Sequence, residues 1–198
     1  MNYRKLYEDN VGIIPENWEI HHIDFNHNNN EINNLIALPS MVHMIIHQSG
    51  YIPRDEIENL IQIYEDNKQT KKELDKWFSL YIRLRDATPE GMVQCITCGC
   101  VKNYKQGMQN GHFQSRSHLA TRFDEQNCQP QCVGCNMFKQ GEQYKFSIAL
   151  DSKYGEGTAQ ELEFKARQIT KFTRADYEEK ITYYKSTVKN LKEEKGIE

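Results

Sequence analysis

Four of the seven histidines fall at two spacings that suit a shared cation. His21 and His22 are adjacent, and His43 and His47 are four apart. On a strand, neighbouring side chains point to opposite faces, so one of His21 and His22 can bind a metal while the other faces a different pocket. On a helix, residues four apart project from one face, which lets two imidazoles meet one ion. Between the pairs runs Asn34-Leu35-Ile36-Ala37-Leu38, where Asn34 can pin the connecting loop by hydrogen bonds. One histidine alone would be read as a structural residue. The alternative for the set is a non-catalytic zinc site of His21, His43 and His47, which leaves His22 unexplained.

All six cysteines lie between Cys95 and Cys135, and four form Cys-x-x-Cys pairs, Cys95/Cys98 and Cys132/Cys135. Paired knuckles at this spacing are zinc ligands, and four thiolates close a tetrahedral shell, so this zinc would be structural. Cys100 and Cys128 are surplus, although Cys100 could substitute in a differently registered knuckle. Gly111-His112-Phe113 and Asn127 lie between the knuckles, and Asn136 directly follows the last cysteine. Zinc would draw the knuckles together and set a hairpin carrying His112 against a helix beginning at Asn136.

These residues need elements to hold them. Trp18 to Ile23 reads as a strand with Trp18, Ile20 and His22 on one face, and Asn26 to Asn30 as turn chemistry. A helix starts near Pro39, which suits its first turn. Gly50 and Pro53 break the chain, and two amphipathic helices follow at about 54–66 and 70–86. Further helices are expected at about 135–152, 157–168 and 173–195, the last with Thr173 as N-cap and a solvated or DNA-facing role. The divisions are 1–50, a helical spacer 51–90, a cysteine domain 91–155 and C-terminal helices 156–198.

Of 198 residues, 38% are hydrophobic and 27% charged, which favours small cores helped by staples over one large core. The sequence has no apolar run near the roughly 20 residues that cross a bilayer, and its start lacks a signal peptide's apolar stretch. A soluble cytoplasmic protein, with no membrane partner, is expected. Net charge is −3, yet its distribution matters more than its sum. Residues 1–50 carry two basic and six acidic groups, and 51–90 carry seven and nine. Residues 91–145 carry six and three, and 146–198 carry ten of each. The cysteine region is the one net-positive stretch, so phosphate contacts are expected there, from Arg116, Arg122 and Lys139, with Arg83 and Arg85 on the spacer. Arg83 and Arg85 are equally suited to surface pairs with Asp86.

Residues 1–50 resemble the HNH endonuclease family. The residues that carry this are Tyr3-Arg4, Gly12-Ile13-Ile14-Pro15, Ile20-His21-His22-Ile23-Asp24, Asn33-Asn34-Leu35 and His43/His47. The resemblance implies a ββα-metal (His-Me finger) fold, with His21, His43 and His47 as ligands and His22 as general base toward water. The cation implied is magnesium, manganese, zinc or nickel. The Cys-x-x-Cys-Asn ending resembles the endonuclease VII type of junction resolvase, in which the Asn after the last zinc cysteine binds metal. A longer stretch, Trp77 to about Gly155, resembles the phage NinG/Rap recombination family. It is carried by Tyr81-Ile82-Arg83-Leu84-Arg85-Asp86, Gly111-His112-Phe113-Gln114-Ser115-Arg116, Thr121-Arg122-Phe123-Asp124, Asn127 and Gln131-Cys132.

That resemblance implies a recombination nuclease acting on D-loops and Holliday junctions in a bacterial host, phage- or prophage-encoded. It carries His112 over as general base, with Asn127 beside it, and Asn136 as a metal ligand. The position before the base usually holds Asp or His as second ligand. Here it is Gly111, so Asp124, His118 or substrate phosphate would complete the set.

The fold expected is α+β: two small ββα-metal modules joined by a helical spacer, the second with a four-cysteine zinc, then C-terminal helices. The function expected is metal-dependent endonuclease action on branched DNA. The other class is a zinc-stabilised branched-DNA-binding factor with a vestigial HNH unit. A secreted nuclease toxin is a third. Two cuts at a junction could come from a homodimer or from two sites in one chain.

Overall fold

Alternation builds the first hairpin. Trp18–His22 (β1) pairs antiparallel with Leu35–Pro39 (β2), setting His21 opposite Ile36 and His22 opposite Leu35. Every residue of β2 is buried, and Leu35 and Leu38 fully so. Pro39 closes the strand at the N-cap position, one residue earlier than a place in the helix's first turn. Ser40–Ser49 (α2) then buries Val42 and Ile46, four apart, which leaves His43 and His47 on the adjoining stripe. Gly50, at φ 82, ends the helix and returns its N–H to the Ile46 carbonyl at 3.0 Å. Tyr3–Asn10 (α1) precedes the hairpin.

The computed structural model describes residues 3–197 and divides the chain into two units, residues 1–69 and 70–198. Arg54–Arg85 is one helix of 32 residues (α3), not two. No Gly or Pro lies within it, so the polar stretch around Asn67 has nothing to break the ladder. Its first part closes the small core of unit 1 with Ile57 against Ile36, Val42 and Ile46.

In unit 2 the later part of α3 buries Leu74, Phe78 and Ile82, a stripe at i, i+4 and i+8. Two more hairpins follow, each a separate two-stranded antiparallel sheet. Met92–Gln94 (β3) pairs with Val101–Asn103 (β4), and Met108–His112 (β5) pairs with Cys128–Cys132 (β6). Leu119–Arg122 (α4) sits in the connection between β5 and β6. After β6 comes a π-helical turn, Gly134–Phe138, and then Gln143–Tyr154 (α5), in place of one helix over 135–152. Gln140, Gly141 and Glu142 all have positive φ and separate the two. Thr158–Ala166 (α6) and Arg174–Lys195 (α7) complete the chain.

Thr173 and Asp176 form a capping box at the start of α7. That helix is not merely solvated. Ile181 and Tyr184 join the Phe78 cluster, and Val188 packs with Leu84 and Val93. Lys195 Nζ donates to the carbonyls of Leu84 and Arg85 at 3.0 Å each, satisfying acceptors at the C-terminus of α3. The architecture is mixed α+β, small antiparallel sheets among helices. No helix among the described residues is long and apolar enough to cross a membrane.

Candidate functional site

Alternation on β1 buries both histidines on opposite faces, each 2% exposed. His21 faces α2. Its ring lies 5.2 Å from those of His43 and His47, and the nitrogens of the three lie within 4.8 Å of one another. His43 and His47 Nε2 are 3.0 Å apart. Three imidazole nitrogens around one tetrahedral ion would stand about 3.3 Å apart, so the geometry fits a shared cation. His21 Nε2 is buried without a hydrogen-bond partner, a costly state that a metal bond would relieve. Burial, then the neighbouring His43 and His47, hold the His21 imidazole down at about 4, so it stays neutral and able to ligate.

Glu19 completes this face. It lies two residues before His21 on the same side of β1, and its Oε2 accepts from His43 Nδ1 at 2.5 Å. A carboxylate on one ring nitrogen fixes the tautomer and aims the other nitrogen at the ion. Hydrogen bonds from Ser40 and His43 lower the Glu19 carboxyl below its usual range. Phe25 adopts φ 60, a left-handed conformation costing a bulky residue about 1–2 kcal/mol, and sets its ring 5.0 Å from His21 and 5.3 Å from His47.

His22 faces the other way. Its ring meets those of Tyr3 and His27, and its Nε2 is 3.2 Å from Asn30 Oδ1. An amide oxygen can only accept, so the proton belongs on Nε2 and Nδ1 keeps the lone pair. Both faces open on one cleft of about 560 Å³, which Arg4 also lines. Asn34 ties down the loop beyond His22. Ile23 N–H donates to its carbonyl at 2.9 Å, and Asp24 N–H to its Oδ1 at 3.1 Å. Asn34 Nδ2 donates to Asp24 Oδ1 and the Asn29 carbonyl, both at 2.8 Å.

The β5–β6 hairpin repeats the two backbone contacts of this lock. Phe113 N–H donates to the Asn127 carbonyl at 2.9 Å, and Gln114 N–H to Asn127 Oδ1 at 2.7 Å. His112 Nε2 donates to the Arg122 carbonyl at 3.2 Å, as His22 does to Asn30. Burial holds the His112 imidazole at about 4. A cleft of about 660 Å³ joins His112 to Asn136, Arg83, Arg116 and Asp75.

The face of β5 opposite His112 differs from the His21 face of the first hairpin. A Cβ at Gly111 would stand 2.8 Å from Gln131 Cβ and closer still to its Oε1, so Gln131 fills the room that a ligand side chain would need. Gln131 is held there by donating to the Gly141 carbonyl at 2.7 Å and to Thr97 Oγ1 at 3.3 Å, leaving Oε1 buried and unpartnered. Asn136 Nδ2 donates to Gln109 Oε1 at 2.6 Å. Neither Asp124 nor His118 takes up the missing role. Asp124 pairs with Lys165 at 2.5 Å, and exposed His118 occupies the N-cap of α4.

The sulfurs of Cys95, Cys98, Cys100 and Cys132 all lie within 4.8 Å of one another. Cys98 and Cys132 Sγ are 3.8 Å apart, matching the roughly 3.8 Å between thiolates on a tetrahedral zinc. The cluster therefore fits a metal ion, with Cys100 standing where the spacing had set Cys135. Buried Cys135 adjoins the group, its N–H donating to Cys132 Sγ at 3.4 Å. The turn after Cys98 folds Cys100 back, with Cys95 N–H donating to the Cys100 carbonyl at 2.8 Å.

Among the basic residues expected at phosphate, Arg85 and Arg122 are held by internal partners. Arg85 pairs with Asp86 at 3.5 Å, the alternative open to it from the sequence, and is turned inward, 14% exposed, bonding the carbonyls of Glu125 and Cys128, Gln129 Oε1 and the Tyr154 hydroxyl. Arg122, also 14% exposed, is spent on Asp75 and the Arg116 carbonyl. Arg83 donates to the Ser79 and Tyr104 carbonyls, though it still lines the cleft. Lys139 is exposed and pairs with Glu142 at 3.3 Å. Arg116 reaches the cleft with no ion-pair partner among the described residues.

Comparison with known proteins places residues 51–194 in the family described as Bacteriophage Lambda NinG protein. The protein ninG of Escherichia phage lambda is 26% identical over 117 residues, 56% of this chain and 54% of that protein. Its namesake in Salmonella phage P22 is 28% identical over 117 residues, 56% and 55% of the two chains. That of Escherichia phage 933W is 29% identical over 93 residues, 46% and 43%. The chain thus spans about half the length of these relatives, and residues 1–50 lie outside the family match. No solved structure matches. The family match runs from residue 51 to residue 194, most of the chain, and the protein belongs to the NinG family.

Proposed function

We propose that this protein is a metal-dependent DNA endonuclease acting on branched recombination intermediates, with its principal hydrolytic centre at His21, His22, His43 and His47. One observation carries the reading: three histidines with ring nitrogens within 4.8 Å of one another, among them His21 with its Nε2 buried and unpartnered, beside a fourth histidine that points its own way. A divalent cation held by His21, His43 and His47 would supply stabilisation of the charge developing on the phosphate and on the leaving oxygen. His22 Nδ1 takes the proton from the attacking water while Asn30 keeps the opposite nitrogen protonated. Asn34 holds the loop that presents Asn30. Arg4 approaches the phosphate from the rim of the cleft.

The second hairpin has the same histidine and the same asparagine lock, which supports His112 in the same role, with Arg116 toward the phosphate. The occupied space beside Gly111 favours a second reading for this half, as the part that binds the branched DNA around its thiolate-held zinc. The test is separate His22→Ala and His112→Ala changes, assayed on four-way junction, flap and linear duplex with magnesium, manganese or zinc. Loss of cutting in His22→Ala is expected. Wild-type rates in both variants would overturn the mechanism. Unchanged cutting in His112→Ala alone, with weakened junction binding in an Arg116→Ala chain, would assign the second hairpin to binding.

A further inference from the structure

We propose that Asp75 is a positioning residue for His112, acting through Arg122. The inference rests on the reading of His112 as a base.

Arg122 is the last residue of a four-residue helix, so its carbonyl has no partner within the helix and is free to accept from His112 Nε2. One turn of helix cannot fix its own end. Contacts from outside do so: the Asn127 amide donates to the Thr121 carbonyl at 2.9 Å, the Cys128 thiol to the Arg122 carbonyl at 3.5 Å, and the Arg122 side chain ties the turn to α3. Arg122 Nε donates to Asp75 Oδ1 at 3.0 Å and its Nη2 to Asp75 Oδ2 at 2.5 Å, a two-pronged pair that sets both distance and plane. Its Nη1 donates to the Arg116 carbonyl at 2.6 Å, closing the loop on itself.

Asp75 is well placed to be the fixed end of this chain. It lies on α3 directly after Leu74, which is fully buried, and three residues before Phe78, 1% exposed. The helix is anchored in the core on either side of it. Position passes from α3 to Asp75, to the Arg122 guanidinium, to the Arg122 carbonyl, and so to the His112 ring. A carbonyl oxygen only accepts, so a carbonyl held there keeps the His112 proton on Nε2 and leaves the Nδ1 lone pair to receive a proton. In the first hairpin the Asn30 side chain performs this service directly. The second hairpin reaches across 47 residues for it.

The experiment uses the full zinc-loaded chain and the ring ¹⁵N and ¹³C resonances of His112, identified by their loss in His112→Ala. In Asp75→Asn, the His112 resonances are expected to move from the Nε2–H pattern toward the averaged pattern of a solvent-exposed ring. Asp75→Glu, which keeps the charge, recovers part of the wild-type pattern. Junction cutting through this site falls by about tenfold or more with little change in KM. If Asp75→Asn does not fold, judged by zinc content and circular dichroism, Arg122→Lys takes its place, since it retains the charge but not the fork. Unmoved His112 resonances in a folded variant overturn the proposal. If the resonances move but His112→Ala still cuts at the wild-type rate, the positioning stands and the catalytic role of His112 fails.

Discussion

Asn127 offers a quantitative test of the lock common to the two hairpins. Its side chain is fully buried and makes three hydrogen bonds to backbone: it accepts from Gln114 N–H at 2.7 Å and donates to the Gln114 and Thr121 carbonyls at 3.1 and 2.9 Å. Asn127→Ala removes all three and strands their partners away from water. At about 1 kcal/mol each the loss is about 3 kcal/mol, and more where the stranded groups stay dry. Asn34 makes an equivalent set of bonds, but these lie nearer the surface, where water can replace them. Asn34→Ala should cost about 1 kcal/mol. The chain has two tryptophans, Trp18 in the first unit and Trp77 in the second, so Trp18→Phe leaves a reporter specific to the second. With a urea slope of about 2 kcal/mol/M, Asn127→Ala should lower the Trp77 midpoint by roughly 1.5 M. A shift under about 0.5 M, or equal costs at the two asparagines, would refute the reasoning.

Two further outcomes follow from named contacts. Glu19→Ala frees His43 Nδ1 and should weaken divalent-metal binding at the first centre by about tenfold or more, read by competition with a chromogenic chelator; unchanged affinity would show that the carboxylate does not orient the ligand. Gly111→Ala sets a methyl against the buried Gln131 side chain and should destabilise the second unit by about 1–3 kcal/mol, whereas Gly155→Ala, with open space around it, tests only the cost of its positive φ. A neutral Gly111→Ala would mean that Gln131 moves aside freely.

Much of the first centre was legible because its signals are local. Adjacent histidines on a strand and a pair four apart on the next helix fix their own faces, whatever surrounds them. Glu19 was legible in principle from the same alternation, two residues ahead of His21. The second half was harder because its decisive contacts are distant in sequence. Gln131 seals Gly111 from the facing strand, and Arg85 and Arg122 turn inward toward groups 40 and 47 residues away. Charge in the sequence left Arg122 looking available to DNA and Arg85 open to DNA or to Asp86; partners in space consume both. The cysteines are intermediate: their clustering is plain from spacing, while the turn that brings Cys100 beside Cys95 depends on a backbone bond that no spacing rule contains. The break expected near residue 67 fails for a simpler reason, since polar residues without Gly or Pro do not end a helix.

The central claim is that His21, His43 and His47 together hold a divalent cation. The most direct measurement is isothermal titration of manganese or nickel into the full chain after any metal already held by the cysteine cluster has been counted, alongside a His43→Ala/His47→Ala variant. One exchangeable ion per chain, lost in the variant while the metal content of the cysteine cluster is unchanged, is the predicted result. No exchangeable ion in the wild type, or one that binds the variant equally well, would contradict it.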